Sequence, residues 1–314
     1  MEAENLHKSV LLQETVEMLA PSEGEIFVDC TLGLGGHTEA LLQAAEKTEV
    51  IGIDQDTEAI RPATERLAPF GERIKIFHAN FAEITDVLQR AGVQKVNGVL
   101  ADLGVSSLQF DSAERGFSFR FDAPLDMRMD ANSDYETAAE LLERLSEAEI
   151  ADIIYKYGEE RMSRRIARRI VWKREIGEPV KTTSELAEAV EKAIGRGRAK
   201  DKIHPATRTF QALRIAVNRE IEILEEFIRD AVDCLKTNGK LAIITFHSLE
   251  DRVVKQTFQK LAGKCECPPR LPQCVCGAQK RIEILTRKPI VPKPFEIAEN
   301  PRARSAKLRV CAKI

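Results

Sequence analysis

The stretch Ile26-Phe27-Val28-Asp29-Cys30-Thr31-Leu32-Gly33-Leu34-Gly35-Gly36-His37-Thr38 decides the fold. It opens as a short apolar run rich in β-formers, passes through a cluster of glycines and leads into a helical pattern over Glu39 to Glu46. Glycines at a strand-to-helix junction let the backbone turn tightly and come close to a ligand. The helix start that follows offers unpaired N–H groups to a polar ligand. A dinucleotide fingerprint needs a third glycine at position 38, which is Thr38. The turn therefore fits a pyrophosphate poorly and fits better a ligand made of an amino acid and a nucleoside.

The same rhythm continues outward from this turn. Val50 to Asp54, Ile74 to Phe77 and Val96 to Asp102 read as strands, with helices predicted over Thr57–Leu67 and Ala82–Ala91 between them. Strands separated by helices of this length imply βαβ units, a parallel sheet and helices on both faces. The pattern then breaks. Residues 110–130 read as loop, and Tyr135 to Gly195 as helix without strand signals. One long amphipathic helix is predicted from Thr207 to Leu235, stopped by Asn238-Gly239, and Leu241 to Phe246 as a fifth strand. Arg281–Thr286 and Ala306–Ala312 are predicted to pair antiparallel at a sheet edge. The expected architecture is a doubly wound α/β domain, residues 1–110 and 208–314, interrupted by a helical insertion, residues 111–207.

Two acids close strands on the side where open α/β sheets bind ligands. Asp54 lies 21 residues after Gly33, where a carboxylate accepts hydrogen bonds from ribose hydroxyls. Asp102 closes the fourth strand. Either acid alone reads equally well as a solvated strand end; their combination with the glycine turn favours a nucleoside site.

Bulk composition is that of a globular protein, 43% hydrophobic and 31% charged over 314 residues. No apolar run approaches the roughly 20 residues of a membrane span, and the N-terminal MEAENLHKSV lacks the features of a signal peptide, so a cytoplasmic location and no membrane partner are expected. Seven cysteines, an odd number, argue against a disulfide framework. The net charge of −3 taken alone argues against nucleic acid, but positive charge is concentrated locally. Arg161 to Arg174 holds seven cations and no acid, with Met162, Ile166 and Ile170 forming an apolar stripe. Arg161, Arg164, Arg165 and Arg168 are therefore expected to face outward and bind phosphate, with Arg196, Arg198, Lys200, Lys202, Arg302 and Arg304 extending the surface.

The segments HKSVLLQE, TLGLGGHT, IGIDQD, LADLGVSS, ERGFSF, PLDMRMD, KYGEER, HPATRTFQALRI, FHSLEDR and NPRARSAKLRV, in this order and nearly end to end, resemble the bacterial RsmH (MraW) family. The resemblance implies a class I methyltransferase fold, Rossmann-like and mostly parallel, with a helical insertion. It implies S-adenosyl-L-methionine as cofactor. The implied reaction is methylation of the exocyclic N4 of a cytosine, position 1402 in 16S rRNA, at the decoding centre of the small ribosomal subunit. Carried over by position, the cofactor residues are Gly35, Gly36, His37, Asp54, Phe81, Asp102 and Gln109. Phe81 alone reads equally as a buried aromatic, and Gln109 as a loop glutamine. Leu108 and Ala101 depart from the family pattern without touching these positions.

Cytosine N4 is a poor nucleophile, so catalysis of this kind rests on positioning and on stabilising charge on nitrogen. Asp102 and Ser106, in the turn after the fourth strand, and His247, after the fifth, are the candidate catalytic residues. The acid-proline-proline-aromatic motif of other amino methyltransferases is absent. Ser248 and Asp251 are expected to form a helix cap, and His247 either to be structural or to touch the base. Gly116-Phe117-Ser118-Phe119 with Asp126 either hold a flipped base or pack a core. Cys265, Cys267, Cys274 and Cys276 flank a proline-rich loop and form either a zinc site or reduced thiols. Two other readings stay open: an amino methyltransferase acting on DNA or a small molecule, and an RNA-binding assembly factor on a cofactor fold.

Overall fold

The computed structural model describes residues 9–195, 204–265, 267, 275 and 277–314. Two compact units emerge: residues 1–104 with 221–314, and residues 105–220.

The first unit carries a seven-stranded sheet in the order β3-β2-β1-β4-β5-β7-β6. Its strands are β1 (Ile26–Asp29), β2 (Glu49–Asp54), β3 (Ile74–His78), β4 (Val96–Asp102), β5 (Leu235–Thr245), β6 (Ile282–Ile284) and β7 (Lys307–Lys313). The first five run parallel, and β7 and β6 close the edge antiparallel, as predicted. The helices of this unit are α1 (Leu12–Leu19), α2 (Gly36–Ala44), α3 (Thr57–Leu67), α4 (Ile84–Ala91), α11 (Leu224–Cys234), α12 (Ser248–Leu261) and α13 (Pro294–Glu299).

Strand residues are buried on both faces, as a parallel sheet requires. Phe27, Val50, Leu100, Ala242 and Ile244 share one core with Leu41 and Leu42 of α2 and Ala63 and Leu67 of α3. Val28, Ile51, Ile53, Val99, Ala101 and Ile243 share the opposite core with Val87 of α4, Phe227 of α11 and Val254 of α12. The strand order reverses direction between β1 and β4. That is the topological switch point, where a crevice opens beyond the strands' carboxyl ends.

The second unit is helical: α5 (Ser107–Asp111), α6 (Ala138–Arg144), α7 (Glu147–Gly158), α8 (Ser163–Glu175), α9 (Thr183–Ile194) and α10 (Thr207–Asn218). Capping boxes start α6, α7 and α9 at Thr137, Ser146 and Thr182. Their apolar stripes, among them Leu141, Ile150, Ile154, Ile166, Ile170, Leu186 and Val190, form a separate core.

The long helix predicted from Thr207 to Leu235 is two helices. Arg219 adopts a left-handed conformation (φ 54) that ends α10, and α11 starts at Leu224. α10 packs on α7 and α6, whereas α11 packs on α12 and α4, so the break hands the chain from the helical core to the sheet core. Asn238-Gly239 does not stop a helix. Cys234 already ends it, and Asn238 (φ 66) lies in an irregularity of β5, between the Val96–Leu235 and Gly98–Lys240 pairs. Asparagine tolerates the left-handed region well enough to serve either purpose, which is why the sequence signal is ambiguous.

Candidate active site

The glycine turn sits between β1 and α2, at the switch point. Gly35 adopts φ +78, and a Cβ there would stand 3.0 Å from Leu67 Cδ1. A Cβ on Gly36 would meet Ser9 Oγ. A side chain at either position therefore requires Leu67 or Ser9 to shift. Asp54, at the end of β2, accepts Gly33 N–H at Oδ2 (2.6 Å) and Asp56 N–H at Oδ1 (2.8 Å). One backbone donor on each oxygen fixes the carboxylate and leaves the other lone pairs available. Burial pushes its pKa up to about 6, against the pull of those two N–H groups. Asp56 caps α3 through Glu58 N–H.

Asp102 ends β4. Its backbone N–H donates to Thr31 Oγ1 at 2.6 Å, and its Oδ2 lies 3.8 Å from Nδ1 of the buried His37. His37 Nε2 donates to the Val10 carbonyl at 3.1 Å. Asp102 Oδ1 is buried and has no hydrogen-bond partner. A buried acceptor left open is costly and marks a place for a donor or a cation from outside the chain. Burial, then the charges of Asp29 and Glu250, raise the Asp102 pKa well above the carboxylate range.

Asp29 is the residue that sequence reasoning passes over. It is fully buried, accepts from Thr31 N–H (3.2 Å) and Thr38 Oγ1 (2.8 Å), and is pushed up to about 6 by burial. Through Thr31 it ties the glycine turn to Asp102, and through Thr38 to the first turn of α2. An acid followed by threonines two and nine positions on is the only signal the sequence offers.

Phe81 follows β3, half-buried, with its ring edge-on to Phe227 at 4.9 Å. Asn80 and Glu83 hold this corner as a capping box, and Ala79 N–H bonds to the Asp54 carbonyl. Gly35, Gly36, His37, Asp54, Phe81 and Asp102 therefore all stand beyond the carboxyl ends of β1 to β4. A separate cavity of about 420 Å³ opens beside α2, lined by Ser9, Gly36, Arg66 and Phe295. Asp54, Phe81 and Asp102 do not line it.

Ser106 and Gln109 belong to the helical unit and are each other's partners. Ser106 Oγ accepts Gln109 N–H, Gln109 Oε1 accepts Ser106 N–H, and Gln109 Nε2 donates to the Met129 carbonyl. His247, rather than Ser248, caps α12: its Nδ1 accepts Glu250 N–H at 3.3 Å, and Glu250 Oε2 reaches back to the N–H groups of Phe246 and His247. Asp251 is freed from that role and binds Arg309 (2.6 Å) and Lys307 (3.0 Å) on β7. An imidazole competes for the cap because the strand delivers it, extended, at the position where Glu250 N–H points.

Phe117 is buried in the helical core, and Phe119 stacks on His204 with 4.4 Å between ring centres. Asp126 is held in a two-pronged pair by Arg128, with both contacts at 2.8 Å. The core-packing alternative thus accounts for Phe117. Arg161, Arg164, Arg165 and Arg168 are exposed, as expected of a phosphate-binding face. Arg174 of the same run turns inward, its guanidinium donating to the carbonyls of Leu142, Glu143 and Leu145. Cys265 Sγ accepts Cys267 N–H at 3.4 Å and Cys267 Sγ accepts Val275 N–H at 3.3 Å, while Cys274 and Cys276, with Arg196, Arg198, Lys200 and Lys202, lie outside the described residues. No helix among the described residues is long and apolar enough to cross a membrane.

A mostly parallel α/β sheet, a glycine turn at its switch point and strand-end carboxylates around an open buried acceptor define a class I methyltransferase fold. The sequence model of the MraW methylase family matches residues 4–314, and the chain belongs to that family. It is an S-adenosylmethionine-dependent methyltransferase. Among similar proteins, one from Geotalea uraniireducens (strain Rf4) is 48% identical over 309 residues, covering 98% of both chains. Another, from Geobacter sp. (strain M21), is 50% identical with the same coverage. A third, from Clostridium botulinum (strain Loch Maree / Type A3), is 50% identical and covers 98% of this chain and 99% of its own. Each is named ribosomal RNA small subunit methyltransferase H.

Proposed function

We propose that this protein methylates the exocyclic N4 of cytosine 1402 of 16S rRNA, in the decoding centre of the small ribosomal subunit, in the cytoplasm. The observation that carries this reading is the 48–50% identity, over 98% of the chain, to small-subunit rRNA methyltransferases. Supporting it at the site are the open Asp102 Oδ1 and the oriented Asp54.

In this reading Asp54 accepts the ribose hydroxyls of the cofactor, Phe81 flanks the adenine, and Gly35, Gly36 and His37 shape the turn beneath. When bound, S-adenosylmethionine supplies an electrophilic methyl group next to a cationic sulfur. Asp102, ionised by that cation, accepts a hydrogen bond at its open Oδ1 and stabilises positive charge developing on the target nitrogen. Holding the amine in line contributes about 7–11 kcal/mol. Ser106 and His247 hold the ends of α5 and α12, and Gln109 supports Ser106; Asp102 is the catalytic residue. The helical unit, with Arg161, Arg164, Arg165 and Arg168, binds the RNA.

Incubation with methyl-labelled cofactor and, separately, small subunits, bare 16S rRNA and DNA tests this. Label is expected in RNA as N4-methylcytidine at position 1402. Label in DNA, in another nucleoside, or in none of the three overturns it.

A further inference from the structure

The outward face of α8 has a second pattern besides its arginines. Arg165, Arg168, Arg169 and Trp172 fall at i, i+3, i+4 and i+7, which places them in one row on a helix. This row lies against the last turn of α9, and together with Lys192 and Ala193 it lines a cavity of about 330 Å³. Trp172 is the sole tryptophan of the chain and is 43% exposed. The Arg169 guanidinium lies over its ring at 4.1 Å. A guanidinium stacked on an indole makes a flat, wide surface of the kind on which unpaired RNA bases stack. Arg169 Nε is buried with no hydrogen-bond partner, a donor that the surrounding chain leaves open.

The charge of the cavity selects the ligand. Its cations are Arg165, Arg168, Arg169 and Lys192. The acids that reach them are Glu147, 3.6 Å from Arg168 Nε in an exposed pair, and Glu188, paired with Lys192 one turn back. Four cations against two carboxylates, around an aromatic floor, suit a ligand with a π-face and a phosphate. A protein acidic side chain would satisfy the charges and leave the platform unused.

We infer that the α8–α9 cavity binds one unstacked nucleotide of the RNA, with the base on the Arg169–Trp172 platform and the phosphate on Arg165 and Arg168. The inference rests on RNA being the substrate and adds where one nucleotide outside the reaction centre is held. Bases in duplex RNA are already stacked and paired, so the cavity discriminates for single-stranded segments.

Because Trp172 is alone, intrinsic fluorescence reads this cavity directly. A single-stranded RNA of about ten nucleotides is expected to quench it saturably, and the same RNA annealed to its complement is expected not to. Trp172→Ala is expected to weaken single-strand binding about 5- to 100-fold at constant salt slope, with Trp172→Phe recovering most of the loss. The double variant Arg165→Ala/Arg168→Ala is expected to reduce the slope of log affinity against log salt by about 2. Circular dichroism melting of each variant checks that the exposed substitutions leave the fold intact. Unchanged fluorescence at saturating RNA, equal quenching by the duplex, or Trp172→Ala binding within twofold of wild type overturns the inference. Wild-type methyl transfer is measured in parallel. Labelled rRNA with a silent Trp172 sinks this inference alone, and a quenched Trp172 with unlabelled rRNA sinks the proposed reaction alone.

Discussion

Gly33 N–H donates to Asp54 Oδ2 at 2.6 Å, so the glycine turn after β1 and the carboxylate ending β2 form one rigid corner. The bond spans 21 residues and does two things at once. It shapes the turn and points the carboxylate that the cofactor ribose needs.

Replacing Asp54 by asparagine tests this corner. Oδ1 and Oδ2 each hold a backbone donor, so the amide nitrogen that Asp54→Asn introduces must face one of them. A hydrogen bond to a charged group contributes about 1.5–3 kcal/mol. S-adenosylmethionine affinity is expected to fall about 10- to 100-fold in Asp54→Asn, measured by titration calorimetry. Binding within twofold of wild type removes Asp54 from the cofactor site.

The two raised carboxylates make binding pH-dependent in a defined direction. Cationic and hydroxyl donors favour ionised Asp54 and Asp102, so binding lowers their pKa values and releases protons. Affinity is expected to strengthen as pH rises through about 6, the Asp54 value, and Asp102, raised in the same direction, adds to the proton release. The stability of the free protein moves oppositely. Asp54 binds its proton more tightly folded than unfolded, so its contribution is largest below 3.8 and is lost as pH rises toward about 6. Calorimetry in buffers of different ionisation enthalpy measures the released protons. Asp102→Asn is expected to reduce the number of protons released on binding; an unchanged release assigns them elsewhere.

Two glycines with left-handed backbones separate conformational strain from crowding. A Cβ added to Gly92 (φ +76) would meet nothing within 4 Å, whereas one added to Gly35 (φ +78) would meet Leu67. Gly92→Ala is expected to cost only the left-handed penalty, about 1–2 kcal/mol. Gly35→Ala is expected to cost more in thermal unfolding, and to weaken cofactor binding, which Gly92→Ala leaves unchanged. Equal effects of the two on both measurements contradict a packed turn.

Asp251 anchors α12 to the sheet edge. Burial raises its pKa, but the hydrogen bonds from Arg309 and Lys307 outweigh this and hold it below the ordinary value. Arg309 is 6% exposed, so Asp251→Ala leaves a buried cation unpaired, at about 3–5 kcal/mol. Chemical denaturation at neutral pH measures the loss. Sign matters for the pH profile: a depressed acid stabilises above its unfolded pKa of 3.8 and loses that contribution as pH falls through the folded one. The variant's deficit is therefore expected to shrink in acid, and a pH-independent deficit points to packing instead.

Much of the sheet unit is legible in the sequence. Val96–Asp102 and Thr57–Leu67 match their predicted bounds, and β1 to β3 and the antiparallel edge match within a residue or a few. The strand-end acids are legible in position, because each closes an apolar run, and only their combination with the glycine turn distinguishes them from solvated strand ends. The helix from Thr207 reads as too long because its apolar stripe continues through Asn218 and Arg219, while the turn there answers to Met127 and Met129, about 90 residues earlier. Asn218 bonds the backbone of both. Arg174 reads as one more cation of the basic run because its partners are three carbonyls around the end of α6, which carry no sequence signature.

The amino-acid sequence by itself determined the βαβ rhythm, the glycine turn, the acids that end β2 and β4 and the cationic face of α8. All are local patterns, set by backbone freedom and by the spacing of apolar and charged side chains. Tertiary structure alone decided that Asp29 and Thr31 tie the turn to Asp102, that one Asp102 oxygen is buried and open, and that His247 takes the cap of α12. It also decided that Arg169 lies on Trp172 beside Lys192. Each depends on which groups meet in the folded chain and on how far water is excluded where they meet. Burial and partnership are properties of the packed chain, and they set whether a given acid is charged, neutral or waiting for a ligand.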